Sequence, residues 1–405
     1  MTDTPQPVAA IMASPAYAKL RETLEREHER TVEDIVTLTQ IPSPPFGEEV
    51  RAKAYLEMLR AHGLADVEMD AIGNVMGIRR GRGNGPIIAV AAHLDTVFPA
   101  GTDVTVRREG TKLHAPGVGD DTRSLAVLLA FVRALDAAKL RTNADILFVG
   151  DVGEEGLGDL RGVRHLFTEG KYRDRIKAFF TVDSPDVEVI AVGGIGSKRY
   201  HATFRGPGGH SFGAFGIVNP LYAMGQAMLE LSRTQVPAKP KTTFSASVVG
   251  GGTSINSIPN EVWMDVDLRS QSVQELARLE TRFRSIVEQA VAAENHARST
   301  QNGPVKAELK LVGDRPAGAT PMDSDIVTFA TAAITAHGFT PRHEYSSTDA
   351  NIPMNLGIPA IKVGSGGTGG RGHSLDEWID VEKGASVRGM LASLTAILAV
   401  AGVAP

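Results

Sequence analysis

Cysteine is missing altogether from the 405 residues. Its absence excludes disulfides and thiolate metal ligands, so any metal must be held by histidine and carboxylate, a donor set that suits zinc, cobalt or manganese. Aromatic residues are scarce, at 5% of the chain. Basic residues do not outnumber acidic ones, the formal net charge is -5, and no basic stripe stands out, which argues against a nucleic-acid partner. No apolar run is expected to reach the length of a membrane span. The opening MTDTPQPVAA has neither the basic start nor the apolar core of a signal peptide, so the expected location is the cytoplasm.

What is present is ordinary globular composition, 42% hydrophobic and 22% charged, over a length that suits two or three cores. The start reads as frayed. Ser14 to Gln40 then reads as one amphipathic helix and Glu48 to Leu59 as a second, with IPSPP from Ile41 stopping the first. Three apolar runs follow, PIIAVAAHLDTV from Pro86, DILFVGDVGEEG from Asp145 and KAFFTVDSP from Lys177, each a strand buried on both faces that ends in potential ligands. Those ligands are His93 and Asp95, Glu154 and Glu155, and Asp183. In a doubly wound sheet such strand ends line the ligand crevice. The glycine-rich GVGDD places Asp120 and Asp121 before a helix over Thr122 to Leu140. Asp121 is read as capping that helix, whereas for Asp120 capping and metal binding weigh evenly. A late strand near Pro359 precedes GRGHSLDEW, which supplies His373.

The middle of the chain changes period. Tyr200, Ala202 and Phe204, then Phe244, Ala246 and Val248, then Val262, Met264, Val266 and Leu268 alternate with polar residues, as half-exposed antiparallel strands do. Asn219-Pro220 and Ser272 with Glu275 open two helices between them. The expected fold class is therefore α/β, a mostly parallel doubly wound sheet with helices on both faces, interrupted by an α+β insert. Expected limits are 1–193 and 313–405 for the larger domain and 194–312 for the insert, with glycine-rich junctions that would let the insert move as a lid.

The ordered set HLD, GDD, GEEG, Asp183 and His373 resembles the dinuclear zinc peptidase and aminoacylase family that includes carboxypeptidase G, peptidase T, succinyl-diaminopimelate desuccinylase and acetylornithine deacetylase. The resemblance implies two divalent metal ions, zinc first with cobalt or manganese as alternatives. It implies that Asp120 bridges them, that His93 and Asp183 complete one site, and that Glu155 and His373 complete the other. Asp95 would orient His93. Glu154 would be the general base toward a metal-bridged hydroxide. In the insert, His210 in GPGGHSFG would stabilise the oxyanion across a homodimer formed through that domain, while Asn256 and Arg269, with Thr348, would bind substrate. Where many members carry Lys-Gly after the aspartate pair, this chain has Thr122-Arg123-Ser124. The implied activity is hydrolysis of an amide bond in short peptides, the phrases DVGEEGLGDLRG and GHSLDEW resembling the peptidase T side. An N-acyl-amino-acid deacylase is the first alternative, and a non-catalytic metal- or ligand-binding relative is the second.

Overall fold

The computed structural model describes residues 4–83 and 85–403. They form two compact units, Met1–Gly194 with Ala319–Pro405, and Ile195–Gly318. In the first unit the central sheet runs in the order Ala65–Met69, Val75–Arg79, Asp145–Asp151, Ile87–His93, Ile176–Val182, Ala360–Val363, Val189–Gly194, and Arg342–Ser346 also pairs in parallel with Val189–Gly194. The middle is parallel: Ile87–His93 pairs in that sense with Asp145–Asp151 and with Ile176–Val182, and Ile176–Val182 pairs likewise with Ala360–Val363. Antiparallel pairing joins Val75–Arg79 to Asp145–Asp151 and to Ala65–Met69. The sheet is thus mixed, with a parallel heart.

Both faces of that heart are covered, which is why its strands show no polar alternation. Ile88, Val90 and Ala92 enter one core beside Phe131 and Leu128 of the helix Arg123–Ala137 and Leu394 of the helix Lys383–Ala401. Ile87, Ala89 and Ala91 enter the opposite core with Val163 and Leu166 of the helix Arg161–Thr168. A strand buried this way can carry polar groups only at its end, and that is where the ligand candidates stand.

Three expectations about helices need correction. The start is helical over Gln6–Met12, not frayed; residues 1–3 lie outside the described part. The single helix expected from Ser14 to Gln40 is two, Pro15–Arg26 and His28–Thr39, broken at Glu27, whose φ of -97° and ψ of 14° leave helical geometry. Among the described residues one helix, Lys383–Ala401, is long and apolar enough to cross a membrane. That stretch is 78% buried inside the protein, so its all-round apolarity is that of a core helix packed on several neighbours.

The second unit is a four-stranded antiparallel sheet in the order Thr242–Gly251, Glu261–Ser270, Gly196–Arg205, Lys306–Arg315. Tyr200, Ala202, Phe204, Val262, Met264, Val266 and Leu268 form its core with the helices Pro220–Ser232 and Val273–Ala297. Asn219 Oδ1 accepts the Leu221 amide at 2.9 Å and Ser272 Oγ accepts that of Glu275 at 3.3 Å, so both helices start where their capping residues stand. Gly313 lies inside the strand Lys306–Arg315, at a register shift, and this unit extends to Gly318.

Candidate metal centre

His93 ends its strand with 1% of its surface exposed. Its Nδ1 lies 3.0 Å from the backbone carbonyl of Asp95, which accepts a hydrogen bond from Nδ1–H, and its Nε2 lies 2.9 Å from Asp120 Oδ1. The other Asp120 oxygen, Oδ2, lies 3.0 Å from His373 Nε2, which in turn lies 2.9 Å from Glu155 Oε1. One carboxylate therefore faces both imidazoles. Donor atoms gather within 4.8 Å of one another in three groups: His93 with Asp121 and Asp183, Asp120 with Glu155 and His373, and His93 with Glu154 and Glu155. All five expected ligands fall in these groups, together with Glu154 and Asp121.

Asp95 is fully buried, and its carboxylate accepts the amides of Glu154 at 3.0 Å and Glu155 at 2.8 Å. It ties the end of one parallel strand to the loop after the next. Burial alone would raise its carboxyl, but the hydrogen bond and charge of His93 and the two amides outweigh that and hold it below the usual range.

The electrostatics test whether these residues suit a cation. Six carboxylates, Asp95, Asp120, Asp121, Glu154, Glu155 and Asp183, crowd two imidazoles. Hydrogen bonds to Asp120 and Glu155 push His373 up to about 11. Burial works against a charge on His93, yet hydrogen bonds to Asp120 and Asp95 with the surrounding acids leave it well above its ordinary value. Asp183 is raised by burial and by the charge of Asp120. The crowded carboxylates favour positive charge at these nitrogens, and the same atoms can donate to a divalent ion once their protons leave. The oxygen and nitrogen donors, without sulfur, fit ions of the zinc, cobalt and manganese kind.

Asp121 corrects an expectation. It does not cap the following helix, whose N-cap, Thr122, makes no side-chain capping bond. Its Oδ2 accepts the His93 amide at 3.1 Å, and burial pushes its carboxyl well up. Thr348, buried, instead accepts the Ala350 amide through Oγ1 at 3.3 Å, at the start of the short helix Asn351–Asn355. In the second unit His210 is exposed, and its Nδ1 accepts the amides of Phe212 and Gly213, each at 3.2 Å, leaving the proton on Nε2. Asn256 is beside it, its carbonyl accepting the Ser211 amide at 2.9 Å, and Arg269 stands at the far end of the strand Glu261–Ser270, bonded to Asp267 Oδ2 at 2.6 Å.

Sequence reasoning missed three buried acids. Glu377 accepts three amides of the loop that carries Asp120. Burial pushes its carboxyl up to about 7 against those amides. Asp151 and Asp349 face each other with no exposed surface to speak of, and burial pushes Asp151 up to about 6 and Asp349 further. The signal for Glu377 was its place four residues after His373; Asp151 and Asp349 gave none beyond ending an apolar run and following Thr348.

Among known proteins, the chain is 34% identical over 143 residues to a putative LysW-lysine/LysW-ornithine hydrolase of Pyrococcus abyssi, 35% of this chain and 38% of that one. It is 29% identical over 228 residues to succinyl-diaminopimelate desuccinylase of Leptothrix cholodnii, 51% of this chain and 58% of that one. The matched stretches thus span less than two thirds of these relatives. Among solved structures, aminopeptidase PepT from Bacillus cereus superposes with a TM-score of 0.72 at 21% identity, over 92% of this chain and 99% of that one, which shows a common fold. The description of a family covers residues 89–396, from the strand that ends at His93 past His373 into the terminal helix. By that match, which takes in every acid and imidazole of the crevice, the chain belongs to peptidase family M20/M25/M40.

Proposed function

We propose that this protein hydrolyses an amide bond in short peptides, using two divalent ions and Glu154 as the proton carrier. The observation that carries the reading is the position of Asp120, with one oxygen toward His93 and the other toward His373. In this reading His93, Asp183 and Asp120 hold one ion, and Asp120, Glu155 and His373 hold the other. Bound there, such ions lower the pKa of water to roughly 7 and polarise the carbonyl under attack.

The residues do the rest. Asp95 fixes the backbone of Glu154 at the crevice, and in this reading the Glu154 carboxylate is kept for proton transfer. It takes the proton of the attacking water and delivers it to the amine as the C–N bond breaks, which leaves a carboxylic acid and an amine and balances the step. His210, with Nδ1 already bonded, has Nε2–H free to donate to the carbonyl oxygen as charge develops on it. We assign that donation to a second copy of the chain, paired through the second unit. Support comes from exposed Leu221, Tyr222 and Leu229 on the helix Pro220–Ser232 and exposed Val248 and Val249 on the edge strand. Asn256, Arg269 and Thr348 are assigned to substrate, Arg269 to a carboxylate.

A second reading, deacylation of N-acyl amino acids by the same residues, is favoured by the desuccinylase among the relatives. Rates on unblocked dipeptides and tripeptides, measured beside N-acetyl and N-succinyl amino acids on one metal-analysed sample, separate the two. Faster turnover of blocked substrates rejects the first reading, and absence of both activities with two ions bound rejects the hydrolase.

A further inference from the structure

Glu377 has no part in the chemistry just described, yet it is 2% exposed and makes three charge-assisted bonds. Its Oε2 accepts the Gly117 amide at 2.9 Å, and its Oε1 accepts those of Gly119 at 2.8 Å and Asp120 at 2.9 Å. Converging amides of this kind ordinarily cradle a bound anion; here the protein supplies its own. The loop they belong to is irregular, with Gly117 at φ 77° and with Asp120 and Asp121 outside helical geometry. A buried loop of this shape needs an outside acceptor to hold its amides in one arrangement.

The partner across the contact matters as much. Glu377 stands four residues after His373, in a segment tightened by the Glu377 amide donating to the Ser374 carbonyl at 3.1 Å. That short segment grips Asp120 twice. His373 Nε2 meets its side chain at 3.0 Å, and the Glu377 carboxylate meets its backbone amide at 2.9 Å. The separation of the Asp120 carboxylate from the His373 imidazole is therefore set through the main chain as well as through the two side chains.

We propose that Glu377 is a positioning residue of the metal centre, locking the loop of Asp120 to the segment of His373 so that both ligands stand in place before an ion arrives. The proposal rests on the ligand assignment above. It gives Glu377 a selective effect: the ion held by Asp120, Glu155 and His373 depends on it most. Loss of such an outer carboxylate around a metal site typically weakens metal affinity by about 10–100-fold.

The test uses the full-length protein stripped of metal and titrated with Co(II), followed by its visible absorption and by competition with a chelator. Glu377→Gln keeps the shape but turns an N–H2 toward an amide that needs an acceptor. The bonds of the adjoining backbone, Ala115 amide to Glu377 carbonyl at 3.1 Å and the strand Trp378–Asp380 against Lys112–His114, remain in the variant. Expected is a 10–100-fold weaker second ion with an altered absorption band, a first ion changed far less, and kcat that recovers at saturating metal with KM little moved. Asp376→Asn, an exposed neighbour paired with Arg371, should match wild type. Gly119→Ala gives the same readout with no change of charge, because its Cβ would lie 3.2 Å from Glu377 Oε1 and 2.9 Å from Ile379 Cγ2. Both ions within threefold of wild type and an unchanged spectrum, in Glu377→Gln and in Gly119→Ala alike, overturn the proposal even if the melting temperature falls. Wild type failing to take up two ions is a different failure, and removes the ligand assignment beneath it.

Discussion

The carboxylate of Asp95 accepts the Glu155 amide at 2.8 Å while its backbone carbonyl holds His93 Nδ1 at 3.0 Å, so one residue aligns donors from two parallel strands. Replacing Asp95 by Asn keeps the carbonyl but sets an N–H2 against the Glu154 or Glu155 amide. The expected result is a metal affinity lower by about 10–100-fold and a kcat lower than that of wild type even with metal in excess, because Glu154 loses its anchor too. Elemental analysis after dialysis against a range of free metal, with rates on the same samples, decides it. Wild-type affinity would mean that Asp95 aligns nothing.

Glu154→Gln separates ligand from base. The side chain lies among metal-capable donors, 6% exposed, but each assigned ion has three other ligands. Metal content should stay at the wild-type level and kcat should drop by about 10²–10⁴-fold, the usual worth of a positioned proton carrier. A variant that loses both ions and activity together would make Glu154 a ligand instead.

How the crevice could be read from sequence follows from where its residues sit. His93, Glu155 and Asp183 were legible because a strand buried on both faces has one place for polar groups, its end, and the apolar runs mark that end. The strands and helix starts of the second unit were legible from alternation and from Asn219 and Ser272. Glu377 and Asp121 were not, since their meaning lies in backbone amides: Glu377 bonds to Gly117 across 260 positions, and Asp121 to His93 across 28. The break at Glu27 escaped because no glycine or proline marks it, and Lys383–Ala401 escaped because Lys383 and Arg388 interrupt the run near its start while the rest is apolar all round.

The facing pair Asp151 and Asp349 predicts a pH-dependent cost. Burial raises Asp151 to about 6 and Asp349 well above its ordinary value, so the folded state keeps both protonated longer than the unfolded chain does. At pH below about 4 both states are protonated and the pair costs nothing. As pH rises toward 6 and beyond, the unfolded carboxyls ionise first, and stability falls. Asp151→Asn removes one charge and gives Asp349 a donor. In metal-free protein its melting temperature should exceed that of wild type by several degrees at pH 8, with the gap closing near pH 4. A gap independent of pH would point to packing rather than charge.

Metal uptake should release protons, and the two histidines set the direction. His373, raised to about 11 by Asp120 and Glu155, and His93, raised well above its ordinary value by hydrogen bonds to Asp120 and Asp95, hold their protons to higher pH in the metal-free protein than free imidazoles do. Unfolded, both are largely neutral above about pH 6.5. Their contribution to stability is full below that value and is lost as pH climbs through the folded values. An ion must displace the same protons to reach Nε2, so affinity rises with pH across that window instead of levelling off near 6.5, where ordinary imidazoles would stop competing. Calorimetric titration of the stripped protein with zinc at pH 7, in two buffers of different ionisation enthalpy, should register release of more than one proton for two ions bound. Release near zero, with affinity flat between pH 7 and 9, would show that neither imidazole carries a proton against those carboxylates, and that the charge of the empty crevice is balanced in some other way.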